Sequence, residues 1–256
     1  MRTSLLQAVL GTATAIVAGA TNLQAQVAEK PPVVLVELFT SEGCSSCPPA
    51  DALLRQMNGT QTKAGQLIVG ISEHVTYWNS LGWVDPFSSS VYTERQNAYG
   101  RRFGLDSVYT PQMVVNGAEQ FVGADRAALT HAIQRQAEHP ASIKLSILEM
   151  HMAGSMAEVK FAVAGEIPAR GTDIIAVLAD DADQSSVLHG ENSGRKLAHV
   201  AVARLLDRVA TLNAATEQTV QIPIPASFTD KQGHHLILFA QAQGSGAVLG
   251  ADTKPL

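Results

Sequence analysis

The 256-residue chain contains 46% hydrophobic and only 16% charged residues, a balance typical of a folded protein with a sizeable core. It excludes an intrinsically disordered chain, which combines low hydrophobicity with high net charge. The formal net charge is −5 and no basic block occurs, which argues against nucleic acid as a partner because phosphate neutralisation needs clustered Lys and Arg. The two cysteines are too few for a disulfide-rich scaffold, so their placement matters more than their number.

Residues 1–25 have the organisation of a cleavable export signal. Arg2 supplies a short positive start, residues 5–20 form an apolar run, and small residues suited to cleavage occur up to Ala20 and Ala25. An uncleaved membrane anchor is the alternative, but the run is shorter than the roughly 20 strongly apolar residues that a spanning helix needs. We therefore expect an exported protein, periplasmic or secreted, without a stable membrane span after cleavage and in a compartment where disulfides persist.

Residues 31–140 alternate between strand and helix patterns. Residues 33–39 form a nearly continuous apolar run, as in a strand buried on both faces, and the next helix opens with two prolines, which its first turn tolerates. This order predicts an α/β domain with a mixed sheet covered on both faces. The predicted elements are a strand at 33–39, a helix at 48–57, a strand at 66–72, an irregular insertion at 73–88, a helix at 89–100, a hairpin at 112–122 and a helix at 125–138.

Residues 141–256 have a different pattern, which predicts a β-rich antiparallel, sandwich-like domain. Because the junction at residues 139–141 is short and lacks a Gly/Ser tract, we expect this domain to pack against the first one. The β-like segments lie at 143–148, 158–164, 174–178, 219–224 and 235–242, separated by clusters of Gly, Asp, Ser and Pro, and residues 197–209 are ambiguous between strand and helix.

The strongest local signal is the CxxC motif of Cys44 and Cys47, which follows the first predicted strand and opens the first predicted helix. Two intervening residues let both sulfurs meet across the first helical turn, where unpaired N–H groups and the helix dipole favour a thiolate. The thiolate is the attacking species in disulfide exchange. We expect Cys44, exposed at the helix tip, to be the nucleophile and Cys47, one turn further in, to resolve the mixed disulfide.

Two other interpretations of the cysteine pair stay open. A permanent structural disulfide would close so small a loop that it restricts the unfolded chain little, which makes stabilisation a weak reason to keep it. A four-cysteine zinc site is impossible because no second CxxC exists. A copper or zinc carrier could instead combine Cys44 and Cys47 with His74, whereas a non-enzymatic binding module would use the β-rich domain as its working surface.

Several segments of the chain resemble one family of exported proteins. These segments are 39–51 (FTSEGCSSCPPAD), 74–78 (HVTYW), 81–87 (LGWVDPF), 109–117 (YTPQMVVNG) and 191–195 (ENSGR). Together they resemble domain of unknown function 1223, an exported thioredoxin-like family whose biochemical role is not established. The resemblance runs through nearly the whole mature chain, so it implies a thioredoxin-like fold for the first domain and leaves the function open.

The succession of strand, CxxC, helix and later hairpin is also similar to thioredoxin, and this similarity implies further roles. Thr110 and Pro111 resemble the cis-proline segment that packs against the CxxC and shapes a peptide-binding groove. Glu37 resembles a buried carboxylate that relays a proton to the resolving thiol, and burial would raise its pKa toward the range of a general base. A Glu37 that faces solvent or an ion-pair partner is the alternative. The dipeptide between the cysteines is Ser-Ser rather than Gly-Pro, so the redox direction stays open.

The insertion at residues 73–88 falls at the carboxyl edge of the predicted sheet, where open α/β sheets place ligands. His74 could stabilise the thiolate or bind metal, or it could be a plain loop histidine. Trp78 could form a platform for a ligand or fill the core. Residues 191–195 could bind substrate or dock onto the first domain, or they could form a turn cross-linked by hydrogen bonds and an ion pair.

These observations predict a thiol–disulfide oxidoreductase that acts on protein thiols or disulfides. No organic cofactor is implied because the chain has no phosphate-binding glycine loop, and no metal is assigned to the site. The alternatives are a binding or assembly module with a structural disulfide, and a copper or zinc carrier. The predicted catalytic residues are Cys44, Cys47, Pro111 and Glu37, and the predicted substrate-binding residues are Thr110, His74 and Trp78.

Overall fold

The computed structural model describes residues 30–139, 141–228 and 233–256. The predicted export signal at residues 1–25 and the junction residue Pro140 lie outside the described residues. Pro31–Leu256 fold as one unit with a continuous set of contacts. In the described part of the chain, no helix is both long enough and apolar enough to cross a membrane.

The first half of this unit alternates strands and helices, as the sequence predicts. Local signals place the helix starts: Ser89 accepts a hydrogen bond from the N–H of Val91, and Asp125 accepts one from the N–H of Ala128. The elements are Val33–Thr40 (β1), Pro48–Met57 (α1), Leu67–His74 (β2), Ser90–Phe103 (α2), Gln112–Val115 (β3), Glu119–Val122 (β4) and Arg126–Glu138 (α3), with a single 3-10 turn at Asn79–Leu81.

In the second half, the regular elements among the described residues are strands. The stretch predicted as ambiguous is a strand, and β7 extends well past the predicted segment because it continues through Asp180, Asp181 and Asp183, which interrupt the apolar pattern. β11 is not predicted because its Gly, Asp, Lys and Pro are rare in strands. The strands are Ile143–Ala153 (β5), Met156–Gly165 (β6), Thr172–Ser186 (β7), Lys196–Leu212 (β8), Thr216–Pro223 (β9), His234–Ala242 (β10) and Val248–Pro255 (β11).

One eight-stranded sheet runs through both halves in the order β11-β10-β7-β8-β2-β1-β3-β4, and β5-β6-β9 form a separate three-stranded sheet. β1 and β2 are parallel, whereas β3 runs antiparallel to β1. β8 joins the two halves through a parallel pairing of Val202 with Ser72 of β2. The predicted domain boundary at residue 140 therefore lies between α3 and β5, but strands from both sides of it share one sheet.

Both faces of the large sheet are covered. Val36 and Leu38 of β1 pack on the face that α1 and α3 cover, while the opposite face packs against α2. Phe161 of the three-stranded sheet lies in the same hydrophobic core as Leu178 of β7 and Leu238 of β10, which makes a β-sandwich of the second half. The architecture is mixed α/β, with a large mixed sheet and a smaller antiparallel one, and the second half packs directly against the first.

Candidate functional site

The CxxC motif forms a disulfide at the point where β1 passes into α1. Cys44 and Cys47 are bonded to each other, with their Cα atoms 5.4 Å apart, and Cys47 is the N-cap of α1. Both cysteines are fully buried. The prediction that Cys44 is exposed at the helix tip is therefore wrong for this oxidised structure. The intervening Ser45 and Ser46 are exposed, so the motif reaches the surface through its middle residues.

The first turn of α1 offers few hydrogen-bond donors to the sulfurs. Its first two residues are prolines, which have no N–H, and the N–H groups of Ala50 and Asp51 already donate to the carbonyl of Cys47. The unpaired N–H groups that the sequence predicts at this helix start are thus absent from these positions. A thiolate here would depend on the helix dipole and on neighbouring side chains.

A loop from the second half of the chain docks onto the backbone of the CxxC segment. Residues 187–195 connect β7 to β8, and we call them the β7–β8 tip. The side-chain amide of Asn192 donates to the carbonyls of Glu42 (2.8 Å) and Cys44 (2.9 Å), and Asn192 is completely buried. The carboxylate of Glu191 accepts a hydrogen bond from the N–H of Ser45 at 3.0 Å. The tip therefore docks onto the CxxC segment, one of the two alternatives that the sequence left open.

Hydrogen bonds within the β7–β8 tip also match the second alternative. The hydroxyl of Ser193 donates to the carbonyl of Leu188 at 2.9 Å, and the Arg195 guanidinium donates to Asn192 Oδ1 at 3.1 Å. These bonds hold the tip in shape while Asn192 anchors it. The tip is both a self-supported turn and a cover for the cysteines.

The cis-proline segment lies at the same edge of the sheet as the disulfide. The peptide bond between Thr110 and Pro111 is cis. The Trp78 indole donates to the Thr110 hydroxyl at 2.8 Å. On its other side Trp78 packs so closely on Gly43 that a Cβ there would lie 3.0 Å from the Trp78 Cβ. Trp78 thus links the residue before Cys44 to the residue before Pro111.

Gly123 shows how close Pro111 lies to α1. A Cβ added to Gly123 would meet the Pro111 Cβ at 3.1 Å and the Ala50 Cβ, in the first turn of α1, at 3.2 Å. Of the predicted site residues, the structure therefore gathers Cys44, Cys47, Thr110, Pro111 and Trp78 in one place.

Glu37 is not gathered there. Its neighbours in β1, Val36 and Leu38, pack on the face covered by α1, and side chains alternate along a strand, so Glu37 faces α2. It accepts hydrogen bonds from Arg95 Nε (2.5 Å) and from the Tyr99 hydroxyl (2.7 Å). Glu37 does not lie where a proton relay to Cys47 would have to lie, and its ion pair matches the alternative interpretation of this residue.

Glu37 belongs to a charge cluster on the α2 side of the sheet that also contains Glu73 and Arg95. Glu73 is fully buried and lies 3.7 Å from Arg95 Nε. Burial raises the pKa of Glu73 well above its usual value, the negative charge of Glu37 raises it further, and Arg95 only partly opposes this. Two acids thus share one cation, and Glu73 retains a proton at pH values where an exposed glutamate has lost it.

Replacing Glu73 with Gln is expected to make the protein progressively more stable, relative to wild type, as pH rises. The folded-state pKa of Glu73 lies above the value of about 4.5 in the unfolded chain, so its contribution is complete below that pH and is lost toward neutrality. Glutamine stays neutral throughout. Urea unfolding at about pH 4 and about pH 7 measures the difference. Glu94→Gln, an exposed position on α2, is the control; an equal gain at both pH values would contradict the prediction.

His74 lies in a second buried cluster, on the α1 side of the sheet. Its Nδ1 is 2.7 Å from Asp85 Oδ2, and its ring meets that of His199 edge-on, with ring centroids 4.7 Å apart. His199 lies between Glu42 and Asp51. We call Glu42, Asp51, His74, Asp85 and His199 the acid–histidine cluster. Apart from His74, the sequence did not single out its members as site residues, although all but His199 lie within the segments that resemble the family.

The cluster does not form a metal centre. Among the described residues, no group of three or more His, Cys, Asp or Glu side chains is arranged to hold a metal ion. Within the proposed carrier set, the two sulfurs are bonded to each other and His74 Nδ1 is paired with Asp85. A carrier role would therefore require the disulfide to be reduced first.

Two solved structures match this chain. The X-ray structure of an Agrobacterium tumefaciens protein, a structural genomics target, has a TM-score of 0.67 and 28% sequence identity, and the match covers 88% of this chain and 95% of that chain. A β-glucosidase from Kluyveromyces marxianus matches 50% of this chain and 17% of its own at 11% identity, and its TM-score of 0.22 carries no argument. No curated protein matches the sequence.

The family model described as "Protein of unknown function (DUF1223)" matches residues 35–241. This range contains the disulfide, the cis-proline segment, both buried clusters and the β7–β8 tip. It also includes strands from both halves of the eight-stranded sheet, so the family model spans the domain boundary predicted at residue 140. The chain belongs to the DUF1223 family.

Proposed function

We propose that this protein is an exported thiol–disulfide oxidoreductase that acts on protein thiols or disulfides through Cys44 and Cys47. The observation that carries the proposal is the position of the disulfide at the start of α1, with the cis Thr110–Pro111 segment at the same sheet edge and Trp78 linking the two.

The arrangement of the first half supports a thioredoxin-like interpretation of the fold. β1 and β2 are parallel, β3 and β4 form an antiparallel hairpin next to β1, and α1 begins with the CxxC. Export is supported by the signal-like residues 1–25 and by the disulfide itself, which persists in oxidising compartments.

The proposed reaction moves two electrons between sulfur pairs. In the reduced protein, the Cys44 thiolate attacks a substrate disulfide, forms a mixed disulfide and releases one substrate sulfur as thiolate. Cys47 loses its proton and attacks the Cys44 sulfur. The protein disulfide forms again, and the second substrate sulfur leaves as thiolate. A substrate dithiol drives the same steps backwards from the oxidised form.

Trapping the mixed disulfide tests the assigned roles. The reduced Cys47→Ser protein is expected to accumulate an adduct with oxidised glutathione about tenfold faster than the reduced Cys44→Ser protein, because the nucleophilic thiol attacks first and nothing resolves the adduct. Mass spectrometry of quenched samples measures both rates, and the double serine variant supplies the baseline. An adduct that forms faster on Cys47 would reverse the roles, and no adduct on either cysteine would contradict the function.

The second candidate function is a binding module with a structural disulfide. The burial of both cysteines under the β7–β8 tip favours it. The reduction potential of the pair separates the candidates: about −120 to −200 mV is typical of an oxidant or isomerase, about −270 mV of a reductant, and a value below about −300 mV of a structural bridge.

A further inference from the structure

The acid–histidine cluster flanks the CxxC motif on both sides. Glu42 precedes Cys44 by two residues, and Asp51 lies one helical turn after Cys47. His199 of β8 reaches both acids: its Nε2 is 3.4 Å from Glu42 Oε1, and its Nδ1 is 3.5 Å from Asp51 Oδ1. All three side chains are at most 5% exposed. A histidine from the second half of the chain thus connects the two acids that enclose the cysteines.

This geometry favours a doubly protonated His199. A neutral imidazole has one N–H and can donate to one carboxylate, whereas an imidazolium ring donates from both nitrogens. Burial lowers the pKa of His199, but the attraction of the nearby Asp51 and Glu42 oxygens outweighs burial and raises the pKa to about 9. At neutral pH, His199 is a buried cation between two carboxylates.

Other charged groups also lie near His199. The His74 ring packs edge-on against His199 and is itself paired with Asp85. Burial raises the pKa of Asp85, but the pairing with His74 and the backbone hydrogen bonds outweigh burial and lower it. Asp183 of β7 is the cross-strand neighbour of His199. Arg55 of α1 donates to the carbonyl next to His199 in the chain, that of residue 198. Glu42 and Asp51 are the acids whose oxygens lie 3.4 and 3.5 Å from its ring nitrogens.

When the buried disulfide opens, the Cys47 thiolate requires a proton, which the Asp51–His199 pair can supply. When the bond to Cys44 breaks, Cys47 leaves with an electron pair, and a buried thiolate is costly without a proton or a nearby cation. In the first helical turn, the two prolines have no N–H, and the N–H groups of Ala50 and Asp51 already donate to the carbonyl of Cys47. The Asp51–His199 pair lies one turn away and carries a proton.

We propose that His199, acting through Asp51, is the positioning residue that holds the proton exchanged with Cys47; this inference rests on the proposed redox function. A substrate thiolate attacks the Cys44 sulfur, a new S–S bond forms there, and the Cys44–Cys47 bond breaks with its electron pair on Cys47. His199 releases its proton by way of Asp51, and Cys47 becomes a thiol. A second substrate thiolate attacks the bound substrate sulfur, which yields the substrate disulfide and the Cys44 thiolate. A substrate disulfide reoxidises the pair: the Cys44 thiolate attacks it and forms a mixed disulfide, and one substrate sulfur leaves as thiolate. Cys47 then gives its proton back to His199 by way of Asp51 and attacks the Cys44 sulfur, and the second substrate sulfur leaves as thiolate.

The test uses the full-length Cys44→Ser protein, in which Cys47 is the single cysteine. The ultraviolet absorbance of the thiolate is followed as pH rises, and the protein without cysteines supplies the baseline. Adding His199→Gln is expected to raise the Cys47 midpoint by about one pH unit, because a nearby cation is lost. Asp51→Asn is expected to lower it, because a nearby anion is lost.

His235→Gln is the matched control, because His235 is also paired with an acid, Asp181, but lies on β10. Opposite shifts in the His199 and Asp51 variants, with none in the control, support the proposal. Unchanged midpoints overturn it, whatever happens to stability. If His199→Gln does not fold, the sign of the Asp51→Asn shift decides. If the midpoints shift but the wild-type protein exchanges with no dithiol, the redox function fails and the proton coupling stands.

Discussion

The Arg95→Met variant is expected to be about 3–5 kcal/mol less stable than wild type, because it leaves the buried Glu37 carboxylate without its ion-pair partner and removes the cation beside Glu73. Arg95 Nε lies 2.5 Å from Glu37 Oε1 and 3.7 Å from Glu73 Oε1, and both acids are fully buried. The guanidinium also donates to the Tyr99 hydroxyl at 2.9 Å. Methionine keeps the aliphatic stem of the side chain and none of its donors.

Urea unfolding at neutral pH, followed by circular dichroism, measures this loss. Arg101→Met is the matched control, since Arg101 lies exposed in the last turn of the same helix, and its loss is expected to stay below about 1 kcal/mol. An Arg95→Met protein as stable as the control would show that the α2-side charge cluster does not depend on its cation.

The Asn192→Ala variant is expected to lose the cover over the disulfide and to be reduced faster by a small dithiol. Asn192 donates two buried hydrogen bonds, to the carbonyls of Glu42 and Cys44. Loss of these hydrogen bonds favours opening of the β7–β8 tip by about 1–3 kcal/mol. If the tip must open before the dithiol attacks, the rate of disulfide reduction is expected to rise roughly 5- to 150-fold. Alkylation of the released thiols at successive times gives the rate.

Ser193→Ala is the control for this experiment, because Ser193 is an exposed neighbour whose hydroxyl bonds only within the β7–β8 tip. Its reduction rate is expected to match wild type. Unfolding free energies of both variants show whether the change is local or global. If Asn192→Ala were reduced at the wild-type rate, the reductant would reach the cysteines without movement of the tip.

The local chain around the disulfide could be predicted because its signals are short-range. An apolar run makes β1 and two prolines open α1, so the position of the CxxC follows from residues close together in the sequence. The cis-proline segment is expected from the resemblance of Thr110 and Pro111 to thioredoxin. The resemblance of the segments to the DUF1223 family likewise rests on contiguous motifs, and the match over residues 35–241 confirms it.

The long-range surroundings of the site could not be predicted in the same way. Asn192 bonds to a residue 148 positions away, and His199 lies in a stretch whose pattern did not distinguish strand from helix. Neither position carries a local sign of its partner. The β7–β8 tip bonds to the carbonyl of Cys44, and the strand that follows the tip, β8, pairs with β2 in the same sheet.

The sequence by itself determined the residue types of the site and the order of the elements that carry them, because apolar periodicity, prolines and turn residues act over a few positions. Only the tertiary structure decided which face each acid occupies. Side chains of a strand alternate between two faces, and the packing of α1 and α2 on opposite faces sends Glu37 to Arg95. The same packing leaves Asp51 and His199, brought together from opposite halves of the chain, beside the cysteines.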